Sequence, residues 1–221
     1  MSRLSDDLYG AMRGKGIWKF KQLLDRGLDA LATYDGETPL HHASLFLRPD
    51  IARLLLKHGA DVNAKNHAGL TPIEVMPENR MGNGYARGLD LVRLLLEHKA
   101  DLNPSRIFWC KMTLLHWALE GSGQYPMDAK NGVYENSLAV VRMLIERGAD
   151  TEATDKFGFS PLEYAITHGH DGVLRLLLEK GVDCSRLMKC GETPLELGIE
   201  YHGDDSKIAK IIREHSSRFV H

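Results

Sequence analysis

The chain has 221 residues, of which 28 are Lys or Arg and 30 are Asp or Glu, so its formal net charge is −2. Hydrophobic residues make up 43% of the chain and charged residues 26%, a composition typical of a folded globular protein and not of an intrinsically disordered one. A nearly neutral chain also lacks the excess of cations on which nonspecific nucleic-acid binding depends. No apolar run approaches the roughly 18 residues that indicate a membrane span. We therefore predict neither a nucleic-acid partner nor a membrane partner.

The N-terminus and the cysteines indicate a cellular compartment. Acidic residues occupy positions 6 and 7, where a secretory signal would carry basic and apolar residues. Three cysteines are an odd and sparse set, which argues against a disulfide framework. We expect a reduced, soluble and cytoplasmic protein, and we leave open a nuclear location or delivery into a host cell.

The first predicted element is a helix pair over about residues 4–34. Leu8, Ala11 and Met12 share one face of its first helix, and acidic residues open that helix, where the helix dipole favours negative charge. The pair ends in residues 23–29, an aliphatic run followed by a turn and an Asp. Similar runs end at Asp61, Asp101, Asp150 and Asp183.

A tetrapeptide resembling Thr-Pro-Leu-His follows each of these runs. Its five copies occupy residues 38–41, 71–74, 113–116, 160–163 and 193–196, and successive copies start 33, 42, 47 and 33 residues apart. The longer spacings place insertions of 7 and 14 residues inside the third and fourth units, and a finger before the fourth unit that is two residues longer. A constant period interrupted by local insertions indicates a repeat array.

The same tetrapeptides predict where helices begin. Thr or Ser before Pro is typical of an N-cap followed by the first helical turn, and Glu74, Glu163 and Glu196 lie three residues after their caps, as in a capping box. Pro77 should end the first helix of the third unit early. Glycines follow the other second helices, where a left-handed residue is needed, but Lys99 stands there in the third unit. We therefore expect that helix end to be looser or differently closed.

Residues 36–43 and 51–63, Gly-Glu-Thr-Pro-Leu-His-His-Ala and Ile-Ala-Arg-Leu-Leu-Leu-Lys-His-Gly-Ala-Asp-Val-Asn, resemble the ankyrin repeat, and the resemblance extends over nearly the whole chain. It implies an all-α fold, an ankyrin-repeat solenoid of about six stacked helix pairs joined by β-hairpin-like fingers. It also implies a single domain over residues 1–221. The expected units are 4–34 as N-terminal cap, 35–67, 68–110, 111–157, 158–190, and 191–217 as C-terminal cap.

The resemblance also implies a function and a binding surface. Ankyrin arrays bind other proteins through a concave groove formed by finger tips and first helices, and the imidazoles of His41 and His116 would bridge neighbouring units. We predict a noncatalytic, monomeric interaction module, an adaptor or a stoichiometric inhibitor, with no cofactor and no metal. The residues predicted to contact the partner are Tyr34, Glu37, Leu45, Phe46, His67, Leu70, Phe108, Trp109, Lys156, Phe157, Phe159, His168 and Tyr201.

Two groups of aromatic residues leave alternatives open. We expect Phe157 and Phe159 to be exposed, whereas Trp109 could equally fold inward to fill the irregular finger. The insertions, residues 77–88 and 121–136, should lengthen the turns between paired helices. Their Tyr85, Tyr125 and Tyr134 could form a second contact rim, or the insertions could be surface loops that are tolerated without a binding role.

Three further hypotheses rest on weaker signals. Asn63 and Asn103 lie in sites resembling the targets of an asparaginyl hydroxylase, so both are candidate hydroxylation sites. A host-directed effector of an intracellular bacterium would use the same binding mode. The third hypothesis is a metal-binding or small-molecule-binding enzyme built around the insertions, although the eleven histidines lack the spacing of a zinc site.

Overall fold

The computed structural model describes residues 3–14, 17–77, 83–101, 113–120 and 133–216. These residues form helices and no β-strand, so the predicted all-α fold is confirmed. The chain divides into two compact units, a first unit of residues 1–106 and a second unit of residues 107–221. None of the described helices combines the length and the apolar character that crossing a bilayer requires. The helices are α1 (Arg3–Arg13), α2 (Ile17–Asp25), α3 (Pro39–Leu45), α4 (Pro49–Lys57), α5 (Asn83–Glu97), α6 (Leu114–Glu120), α7 (Val133–Glu146), α8 (Pro161–Thr167), α9 (Asp171–Glu179), α10 (Pro194–His202) and α11 (Lys207–Ser216).

The first unit stacks two helix pairs and one further helix. α1 packs against α2 and α3 against α4, and the pairs stack through contacts of α1 with α3 and of α2 with α4. α5 then packs against α4. Large apolar side chains from each helix fill the space between them, and these buried residues include Leu8, Phe20, Leu40, Ile51 and Leu95.

The second unit stacks three helix pairs in two rows. The first helices α6, α8 and α10 contact one another in sequence, and so do the second helices α7, α9 and α11. Each helix presents apolar side chains at helical spacing to this core, among them Leu115, Val141, Leu162, Leu177 and Ile212. The packing compensates for the shortness of the first helices, since α6 and α8 have only seven residues each.

The predicted capping boxes form at α8 and α10. The side chains of Ser160 and Thr193 accept hydrogen bonds from the backbone N–H groups of Glu163 and Glu196, and each Glu side chain accepts from the backbone of its cap. At α3 a histidine takes the acidic residue's place, because His41 closes the box with Thr38.

The first helix predicted for the third unit does not form. Residues 72–75 make a turn, with a hydrogen bond from the Glu74 N–H to the Thr71 carbonyl. Pro77 has no N–H to donate to the carbonyl four residues earlier, and it disfavours helical geometry at Met76, so a helix starting here could gain little beyond one turn. The Glu74 carboxylate still accepts from the Thr71 N–H at 2.8 Å, which leaves half of a capping box without a helix.

Part of each insertion that was expected to be loop belongs to a long second helix. α5 has 15 residues and α7 has 14, against nine in α4 and α9. Gly84 and Gly88 lie inside α5 because the buried side chains of Tyr85 and Leu89 anchor this part of the helix, which offsets the helix cost of glycine. Since Tyr85 is buried, the contact-rim alternative is excluded for this residue. Tyr125 and the side chain of Tyr134 lie outside the described residues.

The helix end at Lys99 is closed in the same way as the glycine ends. Lys99 adopts a left-handed φ of 66°, near the 84° of Gly59. The Lys99 N–H donates to the Leu96 carbonyl at 2.9 Å, and the Gly59 N–H makes the equivalent bond to the carbonyl three residues before it. The expectation of a looser or different closure is therefore wrong. The Asn63 side chain supports this turn, because its amide donates to the Lys99 carbonyl and its oxygen accepts from the Asp101 N–H. Hydroxylation of Asn63 stays a prediction, and Asn103 lies outside the described residues.

Candidate functional site

Among the described residues, three hairpin-like turns follow second helices and present residues at their tips. In each, the first residue donates its N–H to the carbonyl of the fifth, at 2.9 Å from Asn66 to Leu70, 2.9 Å from Asp155 to Phe159, and 2.8 Å from Met188 to Glu192. We name them the plain finger (66–70), the aromatic finger (155–159) and the last finger (188–192). An earlier turn is closed by an antiparallel bridge between Tyr34 and Glu37.

A buried carboxylate holds the aromatic finger in shape. Asp155 is only 4% exposed, and its Oδ1 accepts the N–H groups of Phe157 at 2.8 Å and Phe159 at 2.9 Å. Its Oδ2 accepts the hydroxyl of Tyr164, on α8, at 3.0 Å. An Asx side chain that bonds the backbone ahead of it fixes a turn without needing a regular strand. The two Phe residues therefore project from a backbone with little freedom to rearrange.

Histidines tie two of the fingers to the neighbouring repeat. Nε2 of His116 lies 3.0 Å from the Phe159 carbonyl, and Nδ1 lies 2.8 Å from the Thr113 hydroxyl. His41 makes the same pair of bonds, with Leu70 and Thr38. Because a carbonyl can only accept, Nε2 carries the proton in both rings. Burial lowers the pKa of His116, although the Phe159 carbonyl opposes the shift. The predicted bridging role of both imidazoles is confirmed.

The two phenylalanines of the aromatic finger are exposed, as the sequence predicted. Phe157 retains 54% of its accessible surface and Phe159 37%. A lysine ammonium lies over each ring: the Lys156 nitrogen is 4.7 Å from the Phe157 centroid, and the Lys189 nitrogen is 4.9 Å from the Phe159 centroid. Each distance is within cation–π range. The surface of this finger therefore combines apolar rings with positive charge.

A row of rings continues from the aromatic finger along α8. The Phe159 ring meets the Tyr164 ring edge-on at 6.3 Å, Tyr164 stacks on His168 at 5.6 Å, and His168 stacks on His170 at 5.8 Å. Tyr201 is exposed on α10, the next first helix. The row thus brings Phe159 and His168 of the predicted site together.

The ring row is terminated by a buried imidazole. Nε2 of His170 lies 3.2 Å from the Leu119 carbonyl at the end of α6. Burial lowers the pKa of His170 to about 4, against an opposing contribution from that carbonyl. His170 is therefore neutral at pH 7 and closes a helix end. Within the described ranges, no cluster of three His, Cys, Asp or Glu side chains is arranged to hold a metal ion.

Several predicted contact residues of the first unit are used inside that unit. The Glu37 carboxylate accepts from the Asn66 amide at 2.8 Å, and the Tyr34 hydroxyl lies 3.2 Å from the Asp29 backbone nitrogen. Phe46 packs edge-on against Tyr9. Leu45 and His67 are exposed, and Leu70 is half-buried. Phe108 and Trp109 lie outside the described residues.

Sequence reasoning missed two residues that shape this site, Asp155 and Tyr164. Asp155 could have been found, because it occupies the same position before the finger glycine as Asn66 in the plain finger. Tyr164 gave no signal, since its role depends on how α8 packs beside the aromatic finger.

Family models match much of both units. The model described as "Ankyrin repeat" matches residues 35–67 and 110–156, and the model described as "Ankyrin repeats (many copies)" matches residues 134–197. Together these ranges cover more than half of the chain. The first range coincides with the second predicted repeat.

Curated relatives show the same similarity over parts of their length. The chain is 32% identical over 138 residues to the B-cell lymphoma 3 protein homolog of Mus musculus, covering 59% of this chain and 25% of that protein. It is 27% identical over 172 residues to the Ankyrin repeat and SOCS box protein 16 of Mus musculus, covering 69% and 38%. The 2-5A-dependent ribonuclease of Mus musculus is 43% identical over 67 residues, covering 29% of this chain and only 9% of the enzyme. The matches thus span far less than two thirds of each relative. Together with the stacked helix pairs and fingers, the family-model matches show that this chain belongs to the ankyrin-repeat family.

Proposed function

We propose that this chain is a noncatalytic protein-interaction module that binds a partner protein through finger tips and first helices. It acts as an adaptor or as a stoichiometric inhibitor that covers a surface of its partner. In the second unit, the contact centres on the aromatic finger and extends along the ring row to His168.

The observation that carries this proposal is the exposure of two aromatic rings on a fixed backbone. Phe157 and Phe159 are exposed although their backbone N–H groups are both bonded to a buried carboxylate. Exposing two large apolar groups side by side gives no folding benefit, whereas apolar groups on a rigid support are suited to binding. Aromatic side chains commonly supply the few residues that dominate an interface, each worth about 2 kcal/mol or more.

Partner capture with matched variants tests the proposal. The full chain is immobilised as wild type, as Phe157→Ala/Phe159→Ala and as Trp18→Ala, and each is exposed to extract from the native cell. Trp18 is the matched control, because it is an aromatic residue with 56% exposure that lies on α2 and not in a finger. We expect the partner on the wild type and on the Trp18 variant, and its loss from the double variant.

Calorimetry with the purified partner then gives the size of the effect. Loss of two interface aromatics should weaken the affinity by at least about 30-fold, which corresponds to about 2 kcal/mol. Circular dichroism and the melting temperature establish that the double variant is folded. Equal affinity for the folded double variant and the wild type would refute the assignment.

A further inference from the structure

Consecutive fingers contact each other in a fixed register. The residue just before the capping Thr or Ser of one finger meets the tip residue of the next finger. In the first unit these residues are Glu37 and His67, with 3.9 Å between the carboxylate oxygen and Nδ1. In the second unit they are Phe159 and Lys189, with 4.9 Å between the ring centroid and the ammonium. An acid meets a basic tip in the first unit, and a ring replaces that acid in the second.

This exchange leaves Lys189 without a counter-charge, and Lys156 of the aromatic finger lacks one as well. Within the part of the chain that the structure describes, neither the Lys156 nor the Lys189 ammonium lies within ion-pair distance of a carboxylate, although other surface cations do. Each ammonium rests on an aromatic face, which attracts a cation but does not neutralise it.

The nearby carboxylates are occupied elsewhere. Both oxygens of Asp155 accept bonds within the aromatic finger and from Tyr164. Glu163 is 3% exposed, and its oxygens accept the N–H groups of Ser160 and Lys189 at 2.7 Å. Glu192, on the last finger, lies 3.5 Å from the Cys190 sulfur. Asp155 and Glu163 are thus engaged in hydrogen bonds within the protein, and neither forms an ion pair with Lys156 or Lys189.

From this arrangement we propose that the partner presents an acidic segment with apolar side chains to the aromatic finger. Its carboxylates pair with Lys156 and Lys189, and a neighbouring apolar side chain packs on Phe157 and Phe159. Each lysine then lies between a ring and a carboxylate, and the exposed apolar surface is covered in the same step. This inference rests on the proposed function, since it names the chemistry of the partner at that site. Charge complementarity of this kind selects partners and accelerates their association.

Peptide selection followed by charge reversal tests the inference. A random dodecapeptide library is selected on the immobilised full chain, and peptides that also bind Phe157→Ala/Phe159→Ala are removed. We expect the retained sequences to be enriched in Asp or Glu beside Phe, Leu or Ile. A retained peptide should bind Lys156→Glu/Lys189→Glu at least about tenfold more weakly, and added salt should weaken its binding to the wild type. Replacing the acidic residues of that peptide by lysine should restore its binding to the charge-reversed variant.

The other outcomes separate this inference from the proposed function. Retained peptides that are neutral or basic, and that bind the charge-reversed variant as well as the wild type, would overturn the acidic partner and leave the aromatic finger as the binding site. The absence of any peptide dependent on Phe157 and Phe159 would contradict both. A single-stranded thymidine dodecamer is the remaining probe, because lysines beside rings also suit a nucleic acid. If it binds through the same residues and the acidic peptides do not, the partner is a nucleic acid and the inference is wrong.

Discussion

The plain finger of the first unit and the aromatic finger of the second unit share one hydrogen-bond pattern but present different surfaces. Asn66 Oδ1 accepts the N–H groups two and four residues ahead of it, at 3.0 and 2.8 Å, and Asp155 Oδ1 does the same at 2.8 and 2.9 Å. The plain finger carries Ala68 and Leu70 where the aromatic finger carries Phe157 and Phe159.

The comparison separates the residues that shape a finger from those that make it bind. One buried Asx side chain and one bridging histidine fix the backbone in both units. The exposed positions are then free to differ without cost to the fold. Surface chemistry, more than geometry, therefore distinguishes the two fingers.

The largest expected effect on stability is that of Asp155→Ala. It removes a buried carboxylate that accepts from two N–H groups and from the Tyr164 hydroxyl, and should lower the free energy of unfolding by about 3 kcal/mol. Urea denaturation measures this loss. Asn66→Ala should cost less, about 2 kcal/mol, because the carboxylate that its amide contacts, Glu37, retains 22% of its accessible surface and can be hydrated.

Asp155→Asn is the control for this comparison. Asparagine fixes the plain finger, so it should retain most of the stability lost in the alanine variant. If Asp155→Asn and Asp155→Ala were equally destabilised, the shared hydrogen-bond pattern would not explain the shape of the aromatic finger.

The next largest effect is a pH dependence of stability expected from His170. Like Arg48, His170 directly precedes a second helix and contacts a carbonyl at the end of an earlier helix. Arg48 donates to the Met12 carbonyl at 2.8 Å and is always charged, whereas His170 contacts the Leu119 carbonyl as a neutral ring. The folded pKa of His170, about 4, lies below the unfolded value of 6.5, so the unfolded chain binds the proton first as the pH falls. Lowering the pH from 7 to 5 should therefore reduce the contribution of His170 to the free energy of unfolding by about 2 kcal/mol.

His170→Gln provides the matched measurement. Glutamine keeps a donor for the Leu119 carbonyl but does not titrate, so this variant should lose about 2 kcal/mol less than the wild type on going from pH 7 to pH 5. Urea unfolding at the two pH values gives the difference. His42 and His116 are also buried and have a lowered pKa, but both are present in the wild type and in the variant. Their effects on the pH dependence of stability therefore cancel in the difference. Identical pH dependence would contradict the assignment to His170.

The smallest effect is expected at the left-handed turns after α5 and α7. Lys99 occupies φ 66° and Gly148 occupies φ 84° with the same bond to the carbonyl three residues earlier. Lys99→Gly should raise the free energy of unfolding by about 0.5 kcal/mol, because it relieves backbone strain at some entropic cost, and Gly148→Ala should lower it by about 1 kcal/mol. The melting temperatures should move in opposite directions, and a loss of stability in both would refute the equivalence of the turns.

Much of the fold followed from local sequence signals. The capping boxes at Ser160 and Thr193, the glycine turns and the bridging role of His41 and His116 depend on a few neighbouring residues and one repeat period, so they could be predicted. Local signals also placed the aromatic finger in the candidate site and predicted that its rings are exposed.

The predictions that proved wrong depended on packing between distant residues. Burial of Tyr85 and Leu89 extends α5 through two glycines that locally favour a loop. Lys99 keeps a glycine-like turn because Asn63, 36 residues earlier, bonds its carbonyl. The missing first helix of the third unit has a local cause instead, because Pro77 leaves room for only one turn. The role of Glu37 and Phe46 in partner binding stays a prediction, although both residues make contacts inside the first unit with residues far away in sequence.

The most direct measurement of the central claim is the affinity of the purified partner for two matched double variants. Phe157→Ala/Phe159→Ala removes the rings of the aromatic finger, and His67→Ala/Leu70→Ala truncates the plain finger. We expect a loss of at least about 30-fold for the first and less than about fivefold for the second, both as folded proteins. Equal losses, or a larger loss from the plain finger, would contradict the claim that the aromatic finger dominates binding.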